Sequence, residues 1–81
     1  MNHTEDFLLA SLASLMHVDV AQLSATAPLD EQGVDSFVGL RFIKNIEKKT
    51  GVAISLKLFF DYPTIADIAA YIDAKQAPVG A

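Results

Sequence analysis

The chain has 81 residues, 52% of them apolar and 20% charged, which suits one small core and is too apolar for a disordered chain. It contains no Cys and no Trp, so disulfide scaffolds, thiolate metal sites and a side-chain thiol nucleophile are excluded. The net charge of −4 argues against a nucleic-acid partner, which would call for a basic excess, and two histidines cannot complete a metal site by themselves.

The first helix is expected from about Thr4 to Met16, with Thr4 as N-cap and Glu5 and Asp6 in the first turn, where the helix dipole favours negative charge. Leu8, Leu9, Leu12, Leu15 and Met16 recur at helical spacing and form one apolar stripe. The apolar run from Phe7 to Met16 is 10 residues, against roughly 20 for a membrane span. Acidic residues precede it where a secretory signal would be basic. A cytoplasmic domain with no membrane partner is the expectation.

A connection of 17 residues follows, His17 to Gly33, in which Val18, Val20, Leu23 and Leu29 alternate with polar and turn residues and Pro28 blocks a helix. Loops of that length are usually functional or pinned by apolar contacts. The second helix should begin near Asp35-Ser36 and run to about Thr50, with Gly51 as its stop. A short helical turn is expected over Ser55 to Phe60, ended by Pro63.

The last helix opens with Thr64-Ile65-Ala66-Asp67, in the form of a capping box, and buries Ile65, Ile68, Ala69 and Ile72. Gln76 to Ala81 has the composition of a linker, so residues 1–76 are assigned to the domain and 77–81 to a C-terminal tail. The fold class is all-α: a small four-helix bundle of three longer helices and one short one.

Gly33-Val34-Asp35-Ser36-Phe37 is where special chemistry is expected. Ser36 would sit in the first turn of a helix after a long loop, its hydroxyl exposed near free N–H groups that favour a phosphate ester. Asp-Ser before an apolar run is equally an ordinary N-cap, and the dipeptide leaves both readings open. A catalytic serine is disfavoured. The nucleophile elbow needs Gly two residues to either side, where this chain has Val34 and Val38, and neither His3 nor His17 has an orienting partner in view.

These residues, followed by an amphipathic helix ending at Thr50-Gly51, resemble the attachment motif of acyl carrier proteins. The stretch Leu58-Phe59-Phe60-Asp61-Tyr62-Pro63-Thr64-Ile65, then Ile68-Ala69 and Tyr71-Ile72, is similar to the end of carrier domains in modular polyketide synthases. The resemblance spans roughly Phe7 to Ile72. It implies a non-catalytic carrier, with no metal site of its own. A phosphopantetheinyl transferase would use coenzyme A and Mg²⁺ to esterify Ser36 with 4'-phosphopantetheine, aided by Asp35. The arm's thiol would then hold acyl intermediates as thioesters for ketosynthase, acyltransferase and other synthase domains. The isolated domain would be monomeric, and the absence of Cys would leave the arm's thiol without an internal competitor.

Two alternatives accompany this reading. A peptidyl carrier of a nonribosomal peptide synthetase more often has Gly-Gly before the His/Asp-Ser pair, whereas Gly33 is followed here by Val34. An unmodified helical interaction module would use Asp35-Ser36 only as a cap, with Phe37 entering a partner groove.

A projection of the second helix at 100° per residue sets Leu40, Ile43 and Ile46 on a buried arc, with Gly39 near its centre and Phe42 at its margin. Gly39 weakens the helix by about 1 kcal/mol relative to Ala, which close helix–helix approach would offset. Phe42 lies six residues after Ser36, where some carriers serving β-branching enzymes have Trp; packing is the reading for it here. Phe59, Phe60 and Tyr62 are read as core and cap residues.

The opposite stripe is Phe37, Arg41, Lys44 and Lys48, a candidate partner-binding face, unless Phe37 folds back on Val34 or Leu29 and the charges are only a solvated face. Arg41, Lys44, Lys48 and Lys49 against Glu47 leave this helix at +3, with −7 on the rest of the chain. Carriers of dissociated fatty-acid synthesis usually have an acidic second helix, so acidic docking rules do not carry over.

Overall fold

The computed structural model describes residues 3–76, so the expected tail, 77–81, lies outside the described residues. Four α-helices follow in chain order: α1 (His3–Met16), α2 (Ser36–Thr50), α3 (Leu58–Asp61) and α4 (Ile65–Gln76). Two short 3₁₀ turns, Val20–Gln22 and Leu29–Gln32, interrupt the long connection, and no strand occurs among the described residues. The all-α four-helix expectation matches this architecture.

The core forms where α1 meets both α2 and α4. Leu8 and Leu12 of α1, Phe42 and Ile46 of α2, and Ile65, Ile68, Ala69 and Ile72 of α4 are fully removed from solvent. Each large aliphatic or aromatic side chain so buried contributes about 1.5–3 kcal/mol of transfer free energy. All four residues expected on the buried face of α4 are there. Its start is capped as expected, the Thr64 hydroxyl accepting from the Asp67 N–H at 3.1 Å.

Helix ends follow local chemistry. Gly51 ends α2 in the left-handed conformation, φ +73°, its N–H donating to the Glu47 carbonyl at 2.8 Å. At the end of α1 the same conformation falls to His17, φ 59°. The Val18 N–H there reaches the Ala13 carbonyl at 3.1 Å and the His17 N–H the Ser14 carbonyl at 3.4 Å. That is the Schellman bond pattern built on histidine, and it gives His17 a backbone role.

Thr4 is not the N-cap of α1. The helix already includes His3, and the Thr4 hydroxyl donates instead to the Asp73 carboxylate of α4, a tie between the chain's two ends. The short helix α3 starts at Leu58, three residues later than expected at Ser55, because Leu56 and Lys57 form a turn before it.

The long loop is pinned by apolar contact, with Leu29 buried in the core. Its polar groups are also satisfied. The Gln32 amide accepts from the Ser24 N–H at 2.7 Å and donates to the Ser24 and Ala27 carbonyls at 3.0 Å. The Leu29 N–H donates to the Pro63 carbonyl at 2.9 Å, and the Ala66 N–H to the Ala25 carbonyl at 2.8 Å. One glutamine and two cross-links therefore hold the loop against the start of α4, and the loop delivers the chain to α2 at a set position.

Candidate functional site

The site is built at the start of α2. Gly33 follows the Leu29–Gln32 turn at φ +91°, a conformation that residues with a Cβ adopt only under strain. A Cβ there would also stand 3.5 Å from Met16 Cε. The turn points Val34 inward, where it packs against the core, and leaves Asp35 extended at φ −98°, ψ −176°. Asp35 is the N-cap: its Oδ1 accepts from the Val38 N–H at 2.9 Å. Ser36 is then the first helical residue, and its side chain is exposed.

The N-cap reading of Asp35-Ser36 therefore holds for Asp35. Asp35 performs the capping and Ser36 is left outside it. Helix geometry leaves the first N–H groups of α2 without intrahelical acceptors, so a negatively charged substituent on the Ser36 hydroxyl would meet donors and the positive end of the helix dipole.

Beside Ser36 runs an open groove of about 620 Å³. Leu29, Val34, Asp35 and Ser36 line it together with Leu56, Phe59 and Phe60. Gly39 lets Phe59 and Leu56 come close to α2, since a Cβ on it would lie 3.0 Å from Phe59 Cε2 and 3.6 Å from Leu56 Cδ2. The close approach expected at Gly39 is thus made by an aromatic ring of α3, not by another helix backbone. Phe59 in turn stacks on Phe42, with ring centroids 6.3 Å apart and an interplanar angle of 22°.

Phe42 is fully buried, at the margin of the arc as the projection sets it. Leu40 is a correction: expected on the buried arc, it is 48% exposed. Gly39, Phe42, Ile43 and Ile46 make the true buried face, which centres near Gly39 and leaves Leu40 about 100° away. Phe60, read as a core or cap residue, is 85% exposed. Adjacent helical residues point about 100° apart, so with Phe59 turned onto α2 its neighbour cannot follow. Two consecutive aromatics on a four-residue helix were the sequence signal for this. Tyr62 does pack as expected, its ring 5.1 Å from that of Tyr71.

The outer face of α2 lies where the projection sets it. Phe37, Arg41, Lys44 and Lys48 are all exposed, and Phe37 at 64% does not fold back on the loop. The Arg41 guanidinium stands over the Phe37 ring, 4.9 Å from its centroid. His3 and His17 are exposed and remote from Ser36 in sequence and element, and among the described residues no group of three His or acidic side chains is arranged to hold a metal. Nor is any described helix long and apolar enough to cross a membrane.

Comparison with known proteins bears on this geometry. Residues 6–72 match the family model described as the phosphopantetheine attachment site. The chain is 34% identical over 67 residues to polyketide synthase PksL of Bacillus subtilis, covering 83% of this chain and 2% of that protein. Over 72 residues it is 34% identical to non-reducing polyketide synthase PKS16 of Cladonia grayi, covering 88% of this chain and 3% of that protein. The chain thus spans a small fraction of the length of these relatives. Its fold superposes on a free-standing peptidyl carrier protein from an Acinetobacter baumannii secondary metabolic pathway, with a TM-score of 0.88, 24% identity and coverage of 93% of this chain and 94% of that one.

Proposed function

Because the chain belongs to the phosphopantetheine attachment family, whose domains carry a covalently attached 4'-phosphopantetheine, we propose that Ser36 is the attachment point and that the domain is an acyl carrier of a modular polyketide synthase. The observation that carries the assignment is the exposed Ser36 side chain at the first position of α2, with Asp35 capping the helix from the preceding position. The residues present fit the group: a reachable hydroxyl, helix N–H donors facing it and an open groove beside it. When attached, the group supplies a thiol on a flexible arm, which carries acyl intermediates as thioesters.

The protein's own residues position and present. Gly33 and the Gln32-braced loop set where the helix begins; the Asp35 cap holds the first turn in register, so the hydroxyl keeps one direction. Asp35, with one oxygen engaged by the cap and the residue still exposed, also offers a carboxylate for a phosphopantetheinyl transferase to recognise. Phe37, Arg41, Lys44 and Lys48 offer the contact face for ketosynthase, acyltransferase and other synthase domains. The domain itself is non-catalytic, occupies residues 1–76, acts in the cytoplasm and is a monomer when isolated.

Carrier folds are shared by acyl and peptidyl carriers, so the superposition does not separate them; the identity to polyketide synthases and Val34 in the motif favour the acyl reading. The test is intact mass after incubation with coenzyme A, Mg²⁺ and a broad-specificity phosphopantetheinyl transferase. One phosphopantetheine should be gained by the wild type and none by Ser36→Ala. An unchanged wild-type mass, or a gain that survives Ser36→Ala, would overturn the assignment.

A further inference from the structure

Charge on α2 is not balanced among the described residues. Glu47 is the helix's one acidic residue, and its Oε2 turns toward the following segment, accepting from the Ile54 N–H at 2.9 Å. Arg41 lies over an aromatic ring, not against a carboxylate, and none of Arg41, Lys44, Lys48 or Lys49 has an ion-pair partner among the described residues. All four are exposed. Arg41, Lys44 and Lys48 follow Phe37 along one side of the helix, a run of about 17 Å. At the far end Lys48 and Lys49 rim a second groove of about 550 Å³ between α1 and α2, lined also by Phe7 and Ala10.

Apolar exposure is concentrated at the near end. Of the five exposed large hydrophobics among the described residues, Phe37, Leu40, Leu56 and Phe60 lie on α2, α3 or the turn before α3. The surface therefore has an apolar end beside Ser36 and a single-sign basic body. Such a patch, on a chain whose remaining charge is strongly negative, is complementary to an acidic surface and repelled by a basic one.

We infer that α2 docks a protein surface that presents carboxylates along the Arg41–Lys48 stripe and an apolar recess for Phe37 at the Ser36 end. The inference rests on the carrier reading and fixes the sign of the partner: the recognised enzymes are acidic where they meet α2. An aromatic anchor fixes position in such an interface, while the uncompensated cations raise the encounter rate and exclude enzymes with basic docking sites.

The probe is the ketosynthase domain of the synthase that contains this chain, assayed for acyl transfer from the loaded carrier. Loading is first measured by intact mass for the wild type and for Arg41→Glu with Lys44→Glu; a wild type that does not load removes the carrier reading itself. With both proteins loaded, the double variant should lower kcat/KM by about tenfold or more at low salt, about 0.02 M, and the gap should shrink severalfold at about 0.5 M. Lys57→Glu with Lys75→Glu makes the same change in net charge off the stripe and should leave kcat/KM within about twofold, as expected for a local and not a global charge effect. Carbodiimide should also join Lys44 or Lys48 directly to ketosynthase carboxylates. Equal kcat/KM for wild type and stripe variant at low salt, or an equal loss in the off-stripe variant, would overturn the inference. So would a partner for the stripe of another class, shown by sedimentation of the wild type but not the stripe variant with phosphatidylserine vesicles.

Discussion

Helix α4 and the α2–α3 corner spend their hydrophobic residues differently. In α4 every isoleucine is fully buried, and the helix exposes no large apolar side chain. At the α2–α3 corner Phe37, Leu40 and Phe60 are directed outward, while Phe42, Ile43, Ile46 and Leu58 form core and Val38 and Phe59 pack against it. Apolar groups held in water contribute nothing to folding, so the contrast separates an element that builds the domain from one that both builds it and presents it. Ser36, the proposed attachment point, lies in the second.

The contrast can be broken by substitution, and the expected effects are graded. Ile68→Ala in α4 should cost about 2–5 kcal/mol, a large part of the roughly 5–15 kcal/mol typical of a small domain, read by urea denaturation. Its loading by the transferase, below the unfolding midpoint, should stay near wild type. Asp35→Ala should cost about 1 kcal/mol through loss of the cap to Val38, and Asp35→Asn should restore most of that stability. If loading stays slow in Asp35→Asn, the carboxylate serves recognition beyond capping; if loading recovers with stability, Asp35 acts only by holding the helix start. Phe60→Ser should change stability by no more than about 0.5 kcal/mol, because the ring is exposed. Phe37→Ala should likewise leave the helical circular-dichroism signal intact while slowing acyl transfer to a synthase partner. A large loss of stability in either would place that ring in the core and erase the contrast.

Much of the architecture was legible because it depends on local rules. Caps and stops at Asp35, Gly51 and Thr64 are chemistry within four residues, and α4 has an unambiguous stripe of isoleucines. The candidate site was legible for the same reason: Ser36 follows a turn glycine and a capping aspartate, and the stripe from Phe37 to Lys48 follows from helical geometry alone. Thr4 misled because a good cap residue can also serve inside a helix when a distant acceptor, here Asp73, is available. His17 gave no signal at all, since a left-handed non-glycine residue is set by the chain around it.

The amino-acid sequence by itself determined that the fold is all-helical and the chain without cysteine, that α2 begins near Asp35-Ser36 and that its outer face is basic and led by an aromatic. Periodicity, capping and composition are short-range properties, so they can be read without knowing what packs on what. Tertiary structure alone decided which of two neighbouring apolar residues turns inward. Phe59 fits the space left by Gly39 and stacks on the buried Phe42, and Leu40 and Phe60 are left at the surface. A helix defines directions, but only the neighbour across the interface defines which direction is inside.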